Sequence, residues 1–152
     1  MHQQGIIDLI LPIQQQEFQI PITIADQPDL NDIPNIYQTG RGNFWVATID
    51  GTIVGSIALI DIGDNRAALR KMFVATDYRG KPWSTGRLLL DELLKWAAEK
   101  GITEILLGTA TKLIGAQRFY EKNGFEEIEK SALPASFPIM AVDGKFYKYT
   151  LQ

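Results

Sequence analysis

The chain has no cysteine and a single histidine, His2, close to the start of the sequence. Thiolate nucleophiles, zinc–thiolate centres and disulfides are therefore excluded, and a Ser–His–Asp triad or His-based metal site has almost nothing to build on. Any chemistry must come from carboxylates, tyrosine, lysine, hydroxyls or backbone groups. Such groups concentrate at residues 72–86. Met72-Phe73-Val74 reads as a strand end, and Tyr78-Arg79-Gly80-Lys81-Pro82-Trp83-Ser84-Thr85-Gly86 leads from it into a helix N-terminus. First-turn amides of a helix have no partner within the helix, and the aligned peptide dipoles add partial positive charge. Arg79, Lys81 and Arg87 add full charges, while Gly80 and Gly86 let a ligand approach the backbone. Such a place suits a phosphate or pyrophosphate. The plainer reading is a capped helix behind a basic turn. It is neither a Walker loop nor a dinucleotide fingerprint, because the required glycines are missing.

A second group lies at 111–123, where Leu113, Ala116, Gln117 and Tyr120 share one face of a predicted helix. Tyr120 is either a core aromatic beside Phe119 or a phenol presented to a ligand.

The elements that must hold these groups follow from periodicity. Residues 6–18 carry apolar positions at helical spacing, with Pro12 as a kink or early break. A shorter helix is predicted over 29–37, with Leu30, Ile33 and Tyr37 on one face. Residues 44–49 and 53–60 read as strands joined by a tight Asp50-Gly51 turn. Gly63-Asp64-Asn65 is a second turn, and 67–74 is a third strand. The clearest helix spans 83–100, with Leu89, Leu90, Leu93, Leu94 and Ala97 buried, Pro82 at its entry and Gly101 after its end. A strand at 102–107 should return parallel to the one ending at Val74. The helix over 111–123 stops at Asn123-Gly124. Strands at 125–129, 139–142 and 145–151, the last two joined by Asp143-Gly144, complete the chain. The expected fold class is α/β, a mixed and mostly antiparallel sheet flanked by helices, in one domain over 1–152.

Fifteen basic residues against eighteen acidic ones leave a net charge of −3. That gives no electrostatic footprint for nucleic acid. No apolar run approaches the ~20 residues of a membrane span, and no signal segment opens the chain. A cytoplasmic location is expected.

Val74-x-x-x-Tyr78-Arg79-Gly80-Lys81, followed by Ser84-x-Gly86-x-Leu88-Leu89, resembles the coenzyme A loop of the GCN5-related N-acetyltransferases (GNAT family). Ala116-x-x-Phe119-Tyr120-Glu121-Lys122-x-Gly124-Phe125 is similar to that family's other signature segment. The two stand in the family's order, and the resemblance covers roughly residues 44–128. It implies an acetyl-CoA-dependent N-acetyltransferase, with acetyl-CoA as co-substrate, no metal, and an amine of a small molecule or peptide as acceptor. The pyrophosphate would sit on Arg79, Gly80, Lys81, Trp83, Ser84, Thr85 and Gly86. The pantetheine arm would pair with Met72, Phe73 and Val74 where that strand splays from its parallel neighbour. Trp83 has two readings, packing the loop or lying along the cofactor. Tyr120 matches the tyrosine that protonates the departing thiolate. A phenol of pKa ~10 beside a thiol of pKa ~8.5 suits that task.

Three departures from the family pattern stand out. Pro82 and Ser84 replace glycines, and Pro82 has no amide hydrogen. Leu113 stands where many relatives have asparagine. No carboxylate occurs between Ala67 and Val74, where relatives often place a glutamate to take the amine's proton, and Arg70 and Lys71 stand there instead. Either water takes the proton, or Glu17, Asp29 or Asp61 does, although each of these reads first as a solvated surface carboxylate, and the base stays unassigned. The apolar run Leu133–Met140 walls the acceptor site or covers a sheet edge. Tyr37, Phe44 and Trp45 are core or pocket lining. The family's first strand has no counterpart in residues 1–5, so the strand at 44–49 should be an open edge, which invites a homodimer. A different class of function is a CoA-binding regulatory or interaction module that has lost its chemistry.

Overall fold

The computed structural model describes residues 3–140 and 142–151, so His2 lies outside it. Strand β1 (Asn43–Ile49) turns into β2 (Thr52–Gly63) through Asp50 and Gly51, whose φ angles of 51° and 80° are those of a two-residue turn that matches strand twist. Asp64 and Asn65 repeat the device, at 54° and 59°, and lead into β3 (Arg66–Val74). Helix α3 is Thr85–Glu99 in this numbering, preceded by α1 (Gln3–Pro12) and α2 (Ile33–Ile36). After it come β4 (Glu104–Thr109), α4 (Ile114–Lys122), β5 (Glu126–Ile128) and β6 (Lys145–Thr150). The sheet order is β1-β2-β3-β4-β6-β5, and only β3 and β4 run parallel. This is the expected mixed, mostly antiparallel sheet. Among the described residues no strand lies outside β1, which is a sheet edge as predicted.

Side chains alternate between the two faces of a strand. Ile57, Leu59, Ala67, Leu69, Ile105 and Leu107 meet Leu89, Leu90, Leu93 and Ala97 of α3 and Tyr120 of α4 in the main core. The neighbouring Ala58 faces the other way, onto Ile6, Ile7 and Ile10 of α1 and onto Leu30, Ile33 and Tyr37. Ala68 and Leu106 lie under Phe137. Gly55 brings α3 close to the sheet, since a Cβ there would lie 2.9 Å from Thr85 Cγ2 and 3.0 Å from Leu89 Cδ1.

Four details differ from the sequence reading. Pro12 cannot donate an amide, and the helical run over 6–18 changes there to a π-helical turn at Ile13–Glu17. The helix predicted over 29–37 splits into a 3-10 turn (Pro28–Asn31) and α2, because Pro34 cannot continue the ladder between them. Ile102 belongs to the end of α3, where its amide bonds the Ala97 carbonyl at 2.9 Å beside Gly101 (φ 76°), so β4 starts at Glu104. Finally, residues 139, 140 and 142 form no strand, and residue 141 lies outside the described residues. Asp143 explains this. Its carboxylate accepts the Met140 amide at 3.0 Å and its own amide donates to the Met140 carbonyl at 3.0 Å, closing a turn instead of a ladder. β5 pairs directly with β6.

Candidate active site

The β3–β4 ladder contains only Arg66↔Glu104, Ala67↔Ile105 and Ala68↔Leu106. Beyond it β4 continues to pair with β6 through Thr109, and β3 leaves. A β-bulge turns it away. Ser56 pairs with Phe73 and Ala58 with Arg70, so Lys71 and Met72 together oppose Ile57. Lys71 has φ 55°, a left-handed value costly for a lysine, and the Ser56 hydroxyl holds its carbonyl at 2.7 Å. Simple alternation would put Arg70 and Lys71 on opposite faces. With the bulge both line one cleft of about 100 Å³, together with Met72, Gly108, Tyr120 and Asp143.

Tyr120 reaches this cleft from the α4 side, 5% exposed, with its ring against Phe119, Phe125 and Tyr147. Its hydroxyl has no hydrogen-bond partner among the described residues. Burial, and then the negative charge of Asp143, hold its pKa above the usual 10, so the phenol stays protonated.

Asp143 lines the same cleft. Its carboxylate lies on β4, where a Cβ on Gly108 would be 2.6 Å from Oδ2 and 2.7 Å from Cγ. Only the missing side chain of Gly108 leaves room for it. Burial pushes the Asp143 carboxyl above its usual range, against the pull of the Met140 amide, Arg70 and Lys71. A carboxylate so tuned is a better proton acceptor than a solvated one.

Lys71 points to the α1 side and is committed there. Its Nζ donates to Gln27 Oε1 at 2.5 Å and pairs with Asp29 at 3.5 Å, and burial pushes its pKa down to about 8. Asp29 also accepts the hydroxyl of buried Tyr37, and Gln27 exchanges two hydrogen bonds with Gln14. Arg70 is less committed. Among the described residues, Nη2 donates only to the thioether of Met140, at 3.0 Å, a weak acceptor.

The segment read as a coenzyme A loop wraps the start of α3. Leu88 makes the first helical bond, to the Ser84 carbonyl at 3.0 Å, which leaves the amides of Thr85, Gly86 and Arg87 ahead of it without helical partners. Gly80 (φ 65°) and Ser84 (φ 50°) both take left-handed conformations in the turn, and the Ser84 amide is held by the Gly80 carbonyl at 2.7 Å. A Cβ on Gly80 would meet nothing within 4 Å, so that side of the turn is open. These features fit a bound pyrophosphate. Lys81 is exposed, Thr85 is buried beneath Gly55, and Trp83 is 45% exposed with its ring edge-on to Tyr78. Arg79 is tied down instead of free. Its guanidinium grips Glu17 at 2.5 and 2.7 Å, its Nε donates to the Val74 carbonyl at 2.8 Å, and Phe18 packs against it. Met72 and Phe73 line the cleft, whereas Val74 does not.

Among the sequence candidates for proton acceptor, none lines the cleft. Glu17 is paired with Arg79, which holds its carboxyl below the usual range. Asp61 is paired with Arg41, and Asp29 with Lys71. Asp143 was missed because Asp143-Gly144 has the signature of a hairpin turn, and nothing in the local sequence says that Gly108 lies opposite. Leu113 joins an apolar cluster with Ile20, Ile22 and Val142. The 133–140 run both walls the cleft, through Phe137 and Met140, and covers a sheet face through Phe137. Tyr37 is core, and Phe44 and Trp45 are half-buried against the core.

A sequence profile of the acetyltransferase (GNAT) domain matches residues 40–127. Among solved structures, a GNAT-family acetyltransferase from Staphylococcus aureus Mu50 superposes with a TM-score of 0.96 at 43% identity, over 99% of this chain and 94% of that one. The PaiA N-acetyltransferase of Thermoplasma acidophilum, solved in complex with coenzyme A, shares the fold at a TM-score of 0.72 and 20% identity, over 99% of this chain and 93% of that one. The N-acetylaspartate synthetase of Xenopus tropicalis is 35% identical over 106 residues, 68% of this chain. This chain spans 38% of that relative's length. The splayed parallel pair, the glycine-bearing turn into α3 and the profile match over most of the sheet agree, and the chain belongs to the GNAT family of acetyltransferases.

Proposed function

We propose that the protein transfers the acetyl group of acetyl-CoA directly to a primary amine. The observation that carries this reading is the gap between β3 and β4, with Tyr120 and Asp143 both lining the cleft that it opens. The N-acetylated product in the name of N-acetylaspartate synthetase supports an amine as the nucleophile. Backbone amides at Thr85, Gly86 and Arg87, with Gly80, Lys81 and Ser84 around them, hold the pyrophosphate. The open β3 edge at Met72 and Phe73 receives the pantetheine arm. Trp83 and the Arg79 backbone border the same loop.

Asp143 removes a proton from the acceptor's ammonium. The freed amine attacks the thioester carbonyl, forming the C–N bond. As the C–S bond breaks, the electron pair goes to sulfur and the Tyr120 proton follows it, giving free CoA thiol, while the attacking nitrogen gives up its second proton through water to the resulting tyrosinate. Protonation of Asp143 also cancels the negative charge that raises the Tyr120 pKa, so the base's work makes the acid stronger. Cysteine is absent, so an acyl-cysteine intermediate has no nucleophile. A cytoplasmic location and a homodimer, through the sheet edges or the C-terminal hairpin, belong to the same proposal. No helix among the described residues is long and apolar enough to cross a membrane. Sedimentation at high concentration giving the mass of one chain would overturn the dimer.

The test is release of free thiol from acetyl-CoA with a panel of amines. Tyr120→Phe should lower kcat by about 10²–10⁴, the usual weight of general acid–base catalysis, with little change in KM for acetyl-CoA. Unchanged turnover in that variant would remove Tyr120 from the acid role. Binding of CoA without thiol release on any amine would instead identify a regulatory module.

A further inference from the structure

Arg70 is a cation placed in the cleft, near enough to Asp143 to feel its charge but in no direct ion pair among the described residues. Among the described residues no carboxylate forms an ion pair with it, in contrast to Arg41, Arg66, Arg79, Arg87, Lys71 and Lys145. Among the described residues its side chain donates to the Met140 thioether alone. A guanidinium offers five donors in a planar fork that matches a carboxylate bidentately. The bulge at Lys71 brings Arg70 to the same cleft as Asp143, whose carboxylate sits over Gly108. The cleft therefore carries one free cation and one carboxylate, and its volume of about 100 Å³ suits a small polar head.

We propose that the acceptor is a small amino acid, its carboxylate held by the Arg70 guanidinium and its ammonium facing Asp143. This deepens the transferase reading and rests on it. The charges of such a zwitterion complement those of the cleft in sign and order. A simple polyamine would set a second cation against Arg70, and an amino-acid ester would leave the guanidinium without a partner. Lys71 does not serve this role, because Gln27 and Asp29 already occupy its ammonium. Arg70 is thus a specificity-determining residue, with no part in bond making.

The experiment compares free amino acids with their methyl esters and with the corresponding decarboxylated amines. Two readouts are used: thiol release from acetyl-CoA, and calorimetric binding to the protein saturated with CoA. Free amino acids should exceed both analogues at least tenfold in kcat/KM and in affinity. Arg70→Gln should raise KM for the amino acid about tenfold or more and abolish its advantage over the ester, with KM for acetyl-CoA unchanged. Arg70→Lys should restore part of the preference, because a point charge replaces the fork. A melting temperature within a few degrees of the parent shows that each variant is folded. Esters or polyamines handled as well as free amino acids would overturn the proposal, as would discrimination that survives in Arg70→Gln. Carboxylate-dependent binding without thiol release would uphold the acceptor class and defeat the transferase reading. Turnover of amines regardless of a carboxylate would do the reverse.

Discussion

Asp143 owes its character to four neighbours on three different segments. Gly108 gives it space, the Met140 amide fixes one oxygen, and Arg70 and Lys71 supply the nearest positive charges. Burial still prevails and raises its pKa, so the carboxylate is lost at a higher pH than in a solvated aspartate. The sign of two effects follows. Activity through this base should fall as pH drops through that raised pKa, and Asp143→Asn should remove most of kcat together with this acid limb. Stability runs the other way. A raised folded pKa means the folded chain holds the proton more tightly than the unfolded one, so Asp143 contributes stability at low pH that is lost as pH rises through its folded pKa. Near neutrality Asp143→Asn should therefore melt at the same temperature or higher, because the amide oxygen can still accept the Met140 amide. A pH–rate profile beside a melting curve checks both, and a marked loss of stability at neutral pH would sink the assignment.

At the level of elements, the π-helical turn after α1 and the loop before α3 are joined by Glu17 and Arg79. Pro12 causes the change of helical register, the register places Glu17 beside the loop, and Arg79 spends its guanidinium there and on Val74. Arg79 thereby fixes the path of the chain, and the backbone amides beyond it are left to face an anion. The pair is about one-third exposed on each side, so its net worth is on the order of 0.2–1 kcal/mol. Glu17→Ala should raise KM for acetyl-CoA up to about fivefold, as ~1 kcal/mol allows, with kcat nearly unchanged. Initial-rate kinetics at varied acetyl-CoA would show it. An unaltered KM would mean that the loop holds its shape without the pair.

For the molecule as a whole, the cleft is an opening between parallel strands, so a ligand seated there bridges two halves of the sheet. The main core gathers β2, β3, β4 and β6 under α3 and α4, whereas α1 and α2 cover the other face. Acetyl-CoA at 100 times its Kd should stabilise the folded chain by about 2.7 kcal/mol. At roughly 2–4 °C per kcal/mol for a domain of this size, the melting temperature should rise by about 5–11 °C. A thermal-shift titration measures it, and no shift at saturating acetyl-CoA would contradict the reading of the 79–86 loop.

Local chemistry was enough to read the turns, α3 and its cap, the parallel return of β4, the open β1 edge and the family. Each depends on neighbours in the chain, such as Asp50 beside Gly51 or Gly101 after a helical stripe, or on a motif a few residues long. The prolines at 12 and 34 marked breaks whose exact form the spacing did not reveal. The proton acceptor was not legible. Asp143 gains its role from Gly108, 35 positions earlier in the chain, and its Asp-Gly context points to an ordinary turn. Arg70 and Lys71 looked like a departure from the family pattern. One extra residue in a strand, held by the Ser56 hydroxyl, turns both into the same cleft. On its own the sequence excluded a cysteine thiol and left a single histidine, His2, for imidazole chemistry. The tertiary structure alone decided which charges meet, because a bulge and an absent side chain act through space and leave no periodic trace.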